Sequence, residues 1–240
     1  MRRIFCVLLT LFLTLPVSAV PVPVLMYHHF TETDIGLPDQ CDRERFRGHL
    51  KALTEAGYSS VTFRDLLAYA DGTGDLPDKP VVLTSDDGYR SVIDIALPVL
   101  REYGMSMSVA VVGSMAGKTE GLPHFSVEEA FGTELELVSH TWDLHGQEGC
   151  GVLTEKGTLH PRFLWDTVRM GQIPAVSDRV FVYPYGKWNP DSEAVLRALG
   201  YRITVTTRCG IADIRPGEPD SLRLLPRMHP DEFLEKEIMN

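Results

Sequence analysis

The chain has 240 residues, enough for one large domain or two small ones and for a sizeable core. Hydrophobic residues make up 44% of it and charged residues 23%, the balance of an ordinary globular protein. A formal net charge of -10 argues against a nucleic-acid binder that works through a basic face.

The first residues read as a targeting segment. Arg2 and Arg3 form a positive start, Ile4 to Leu15 is apolar, and Val17-Ser18-Ala19 places small residues at the cleavage positions. Pro16 interrupts the run short of the about 20 apolar residues a membrane span needs. No cysteine follows to carry a lipid. Residues 1–19 are therefore expected to be a cleaved secretory signal. Residues 20–240 form one mature domain, secreted or periplasmic, with no stable membrane span. Of the four cysteines, Cys6 lies in the signal. Cys41, Cys150 and Cys209 remain, an odd set with no C-x-x-C spacing, so a thiolate metal site is not expected. One disulfide and one free thiol suit an oxidising compartment.

Val20 to Tyr27 is an apolar, strand-like run followed at once by His28-His29-Phe30, and Thr31 to Gln40 reads as a loop. Arg43 to Ala56 carries Phe46, Leu50 and Leu53 at helical spacing, and Gly57 is placed to end that helix. Ser59 to Phe63 is a short strand, Arg64 to Ala70 a short helix, and Asp71 to Lys79 a loop. Val81 to Ser85 is a buried strand that stops abruptly at Asp86-Asp87-Gly88. Ser91 to Tyr103 is helical, Met105 to Val112 a strand, Ser126 to Phe131 a short helix, and Glu134 to Ser139 a strand ending at His140. Leu144 to His160 is irregular and Arg162 to Met170 helical. Arg179 to Tyr183 is a strand ending in Pro184-Tyr185-Gly186. Asp191 to Leu199 is a helix started by Pro190 and stopped by Gly200. Arg202 to Thr206 is a strand, Cys209 to Pro219 a loop, and Leu222 to Leu225 a last strand. Strand and helix alternate throughout, which argues for a parallel α/β sheet or barrel in one domain.

The polar residues collect where strands end: His28-His29, Asp86-Asp87, His140 and Pro184-Tyr185-Gly186. In a parallel barrel those ends share one face. Two adjacent aspartates repel, so a metal, a basic partner or a shared proton must hold them. His140 and His145, with Asp86 or Asp87, make a two-histidine, one-carboxylate set. Such a set leaves open positions on a divalent metal for water and substrate.

Four segments in chain order, PVLMYHHF, LTSDDGYRS, ELVSHTWDLH and FVYPYGKWN, resemble those of the polysaccharide deacetylases of carbohydrate esterase family 4, which share the NodB homology domain. The likeness runs from about Pro23 to about His229. It is nearest to the extracytoplasmic poly-β-1,6-N-acetylglucosamine deacetylases, which have the same N-terminal Tyr-His strand and five-residue histidine spacing. The resemblance implies an α/β fold, a single-domain distorted (β/α) barrel. It also implies metal-dependent hydrolysis of N-acetyl groups from N-acetylglucosamine units of an acetylated polysaccharide. Asp86 would be the general base, and Asp87, His140 and His145 the ligands of a divalent metal. Zinc is implied by the family; the same donors accept cobalt, nickel or iron. The Tyr185 backbone N–H would hold the oxyanion, and Arg227 would orient Asp86. Two histidines compete for the general acid: His28, as in the poly-β-1,6 branch, and His229, near where many members carry a C-terminal histidine. Tyr89 and Trp188 are candidates for a sugar platform, whereas His49, His124 and His160 carry no motif. Ser85 stands where the family usually has Phe. Two alternatives remain open: the same chemistry on peptidoglycan, chitin-type oligomers or O-acetylated xylan, and a catalytically silent carbohydrate-binding protein.

Overall fold

The structure, a computed structural model, describes residues 19–36, 39–146, 151 and 161–239. Cys150, His160 and nearly all of the expected signal lie outside these residues. The described strands are β1 (Val20–Val22), β2 (Val24–Tyr27), β3 (His29–Thr31), β4 (Gln40–Asp42), β5 (Ser59–Val61), β6 (Pro80–Ser85), β7 (Met107–Val111), β8 (Leu135–Ser139), β9 (Val176–Val182), β10 (Ile203–Val205) and β11 (Ala212–Ile214). The α-helices are α1 (Arg43–Glu55), α2 (Phe63–Ala70), α3 (Leu97–Tyr103), α4 (Pro161–Met170), α5 (Pro190–Ala198) and α6 (Pro230–Glu237).

The main sheet runs β10-β9-β8-β7-β6, with β5 pairing the first half of β6 and β2 the second, and every pairing is parallel. The central strands β6 and β7 are buried along their whole length, on both faces, which is why residues 81–83 read as an unbroken apolar run. Val81, Leu83, Val109 and Leu137 pack into one core with residues of α1 and α3, such as Phe46 and Leu100. Val82, Ala110, Val138 and Val180 pack into a second core with Phe63 and Leu66 of α2.

The sheet curls into a distorted, partial barrel of the expected type. Its two edges, β10 and β2, are joined by a segment that is not a strand. Leu25 bridges Met228 and Val205 bridges Leu225, both in parallel. Met26 N–H donates to the Met228 carbonyl at 3.0 Å, and Leu225 N–H donates to that of Thr204 at 2.8 Å. The strand expected over Leu222–Leu225 does not form, because Leu224 takes a left-handed backbone (φ 53°) that breaks the extended run.

Other departures have equally local causes. The helix expected from Ser91 opens as a wide π-turn over Val92–Ala96 before α3 begins. Pro98 has no N–H to bond the fourth carbonyl back, and the Leu97 N–H reaches to Val92 instead. The Thr31–Gln40 loop is flanked by two short strands, β3 and β4, which pair in parallel. Inside the expected Cys209–Pro219 loop, β11 pairs antiparallel with β1. Cys41 and Cys209 are free thiols, and burial pushes the Cys41 thiol up to about 12, which leaves it inert.

One buried carboxylate ties the sheet to a helix. Glu136 of β8 accepts the N–H of Phe63 and of Arg64, each at 2.9 Å, and the Ser108 hydroxyl at 2.6 Å. It thereby satisfies the first donors of α2, which have no partner within the helix. Glu136→Ala leaves those donors buried without an acceptor, an expected cost of about 3 kcal/mol. For a domain of this size that is a fall in Tm of roughly 6–12 °C. Glu136→Gln, which keeps one acceptor, loses less. An unchanged Tm for Glu136→Ala would refute this role.

Candidate active site

Because the main sheet is parallel, the carboxyl ends of its strands share one edge. Tyr27 of β2 leads to His28, Ser85 of β6 to Asp86-Asp87, Ser139 of β8 to His140, and Val182 of β9 to Tyr183-Pro184-Tyr185. A cleft of about 430 Å³ opens there, lined by His28, Asp86, Asp87, His140, His145 and Tyr185.

At its floor Asp86 meets Arg227. The guanidinium donates from Nη1 to Oδ1 at 2.7 Å and from Nη2 to Oδ2 at 2.8 Å, a two-pronged pair. Nε donates to the Thr206 carbonyl at 3.0 Å and Nη1 also to the Thr84 hydroxyl at 3.3 Å. Arg227 is 2% exposed and Asp86 3%, so neither charge is diluted by water. Burial alone would raise the Asp86 carboxyl. The charge of Arg227 and the hydrogen bonds it donates outweigh it and hold the carboxyl well below the usual carboxylate range.

Asp87 has a left-handed backbone (φ 73°), as does the following Gly88 (φ 79°), and this turns its carboxylate away from Asp86's partner and toward the histidines. Oδ1 of Asp87 stands 2.9 Å from Nε2 of His145 and 3.7 Å from Nε2 of His140. Those donor atoms all lie within 4.8 Å of one another. Oδ1 is buried, and its 2.9 Å contact with His145 is of hydrogen-bond length. Three donor atoms that converge on one point in this way fit a cation between them. Atoms about 2.0–2.1 Å from a tetrahedral zinc stand about 3.3–3.4 Å apart, close to this spacing. The chemistry of His140 agrees. His140 Nδ1 lies 2.8 Å from the Val182 carbonyl and donates to it, which leaves Nε2 with its lone pair toward Asp87. Burial lowers the His140 pKa and favours the neutral, ligating ring.

The fourth wall is the Pro184-Tyr185-Gly186 turn. Tyr185 is left-handed (φ 54°), and its half-exposed ring lies 5.0 Å from that of His145. Gly186 (φ 64°) is required twice over: a Cβ there would fall 2.2 Å from Thr207 Oγ1.

Residues 73–204 match the family described as Polysaccharide deacetylase. The chain belongs to that family. It is 27% identical over 192 residues to YxkH of Bacillus subtilis, whose name places it among polysaccharide deacetylases, over 80% of this chain and 66% of that one. It is 28% identical over 204 residues to the poly-β-1,6-N-acetyl-D-glucosamine N-deacetylase of Escherichia coli K12, over 67% of this chain and 30% of that one. The chain thus spans just under two thirds and under one third of the lengths of these relatives. Among solved structures, IcaB from Ammonifex degensii superposes with a TM-score of 0.68 at 27% identity, over 91% of this chain and 95% of that one.

Against the polysaccharide deacetylase pattern, the structure gathers Asp86, Asp87, His140, His145, His28 and Tyr185 in one cleft, with Arg227 beneath it. His28 Nε2 lies 3.8 Å from Asp86 Oδ2. His229 is exposed, caps α6, and lines a neighbouring cavity that it shares with His28. Ser85 is fully buried, and its hydroxyl donates to the His28 carbonyl at 2.9 Å. Tyr89 lines the cleft between the rings of His29 and His124, while Trp188 packs toward the Phe181–Tyr183 core instead. His49 is structural, bonded to the Tyr27 hydroxyl at 3.1 Å and to Asp231 at 3.2 Å.

The Asp86–Arg227 pair makes a stability prediction. Removing one member of a buried pair strands the other, at about 3–5 kcal/mol. Arg227→Met is therefore expected to lower Tm sharply, and Asp86→Asn/Arg227→Met to recover part of the loss, in a double-mutant cycle. The folded pKa of Asp86 is depressed, so the pair's contribution is present above the unfolded value near pH 4 (about 3.9 for Asp) and fades as pH falls below it. The acid limb of the wild-type stability curve is expected to flatten in the double variant. Additive losses with an unchanged acid limb would refute the coupling.

Proposed function

We propose that this protein is a metal-dependent N-deacetylase of N-acetylglucosamine units in an extracytoplasmic polysaccharide, with poly-β-1,6-N-acetylglucosamine as the first substrate to test. The mature domain would be residues 20–240, exported by the segment before it. One observation carries the reading: a buried Asp-His-His donor set opens into the same cleft as an ionised aspartate locked by arginine. The family membership and the likeness to a named poly-β-1,6-N-acetyl-D-glucosamine N-deacetylase support the substrate class.

In this reading Asp87, His140 and His145 hold the divalent cation, zinc first by family. Once bound, the cation supplies Lewis acidity that acidifies water and polarises the acetamide carbonyl. Asp86 takes the proton of the attacking water. Held ionised by Arg227, it is always available to accept, although a weak base. The backbone N–H of Tyr185 donates to the oxygen that gains charge as the carbonyl becomes tetrahedral. His28 gives a proton to the departing amine, and acetate and a glucosamine unit leave. The place of His28 in the cleft beside Asp86 supports it over His229 as this acid.

The test is acetate release from poly-β-1,6-N-acetylglucosamine oligomers by residues 20–240, with and without chelator and added zinc. Chelation is expected to abolish release and zinc to restore it. His28→Ala is expected to lower kcat by about 100-fold or more, in the range of a lost general acid, while His229→Ala stays near wild type. A reversed order would move the acid to His229. Release only from peptidoglycan, chitin-type oligomers or xylan would keep the chemistry and change the substrate. Glycan binding that survives chelation, with no acetate from any of these glycans, would replace the enzyme with a binding protein.

A further inference from the structure

The geometry points to Asp166 of α4 as a positioning residue that sets the separation of the two histidine donors without touching substrate. This rests on the reading that Asp87, His140 and His145 hold a cation.

His140 directly follows β8, and the chain must turn back within five residues to bring His145 beside it. Thr141 begins the turn with a left-handed backbone (φ 73°), a conformation that a β-branched residue rarely adopts. The Thr141 side chain closes the turn by accepting the Leu144 N–H at 3.2 Å. The two imidazoles then lie 5.0 Å apart, centre to centre.

Beyond that one internal bond, the shape is held by the turn's neighbours. On one flank, Gly113 and Ser114 donate their N–H groups to the carbonyls of Thr141 and Trp142 at 3.0 and 2.8 Å. On the other, each carboxylate oxygen of Asp166 accepts one N–H, from Trp142 at 2.8 Å and from Asp143 at 2.7 Å. The turn is therefore held by its carbonyls from one side and by its amides from the other. Asp166 is 7% exposed, and the amides it holds lie two residues after His140 and two before His145. The same helix also grips the turn's side chain. Arg169 lies over the Trp142 ring at 3.9 Å, and that ring fills the space where a Cβ on Gly113 would fall 2.6 Å away.

A clamp at this point acts on the distance between donors more than on the sheet. Asp166→Asn preserves volume but offers one accepting oxygen in place of two, so one amide loses its partner. Losing an outer partner of a metal ligand typically weakens metal affinity about 10- to 100-fold. Asp166 acts through the backbone and not on a ligand directly, so affinity for Zn2+ and Co2+, measured by competition with a chromophoric chelator, is expected to fall in Asp166→Asn by about 10-fold, the lower end of that range. The visible absorption of the Co2+ form is expected to change with it, while metal-free protein keeps its far-ultraviolet circular dichroism. In a His145→Ala background the same substitution is expected to add little, because the clamp then has no second donor to place. Asp166→Glu, which keeps both oxygens one methylene further out, is expected to fall between wild type and Asn. It takes over the test if the Asn variant does not fold.

Equal affinity and an unchanged Co2+ spectrum in Asp166→Asn would overturn the inference alone. So would a loss that is as large in the His145→Ala background, since that is the mark of general destabilisation. Failure of the wild-type protein to bind either metal would overturn the functional reading, and this inference with it.

Discussion

Much of this structure depends on a single buried ion pair, Arg227 with Asp86. The guanidinium is surrounded by protein and uses its planar fork on one carboxylate, with its remaining bonds spent on Thr206 and Thr84. Lysine offers one point charge and could not replace these bonds. Because Arg227 lies in the segment that joins β10 to β2, the pair is also a fastening across the open side of the sheet. It keeps two adjacent aspartates distinct. Asp86 is neutralised from below and Asp87 is turned toward histidines, so the repulsion that a bare Asp-Asp sequence implies is relieved in two directions.

The rest of the site is built from backbone held in an uncommon state. Asp87, Thr141 and Tyr185 are three of the six described non-glycine residues with positive φ, and each stands directly at or just beyond a donor or a wall of the cleft. Such conformations persist only where the surroundings over-determine them. Here the surroundings are identifiable: Gly88 against Val111, the Asp166 clamp on the Thr141 turn, and Gly186 pressed against Thr207. Each aims a side chain or an amide into the cleft that a regular strand end would have sent elsewhere.

Most of this was legible in the sequence because the chemistry sits where periodic patterns stop. The β6 run ends at Asp86, the β8 run at His140 and the β9 run at Tyr183, and parallel pairing brings those ends together whatever lies between. What escaped is what depends on partners far along the chain. The pairing of β11 with β1 joins two three-residue strands, each too short to carry a period. The Leu225–Met228 strut has no strand pattern because it is not a strand, although its arginine was legible by resemblance. Asp166 carries no motif. The one local trace of it is a carboxylate on the buried face of α4, beside Phe163, Thr167 and Met170. A polar residue at an apolar position asks what it binds, but only the folded chain answers that its partners are the amides of Trp142 and Asp143.

The strut also has a consequence for the order in which the molecule is assembled. Asp86 and Arg227 are 141 positions apart. Contacts of such long separation pay the loop-closure cost last and reward it last. A chain that emerges amino end first presents Asp86, Asp87, His140 and His145 well before Arg227 exists to meet them. Until then two neighbouring carboxylates face each other with no countercharge, and the sheet keeps an unclosed edge at β2. The geometry of the acidic pair is therefore expected to arrive as one late event in folding, when the segment that carries Arg227 docks, and not to grow by degrees with chain length.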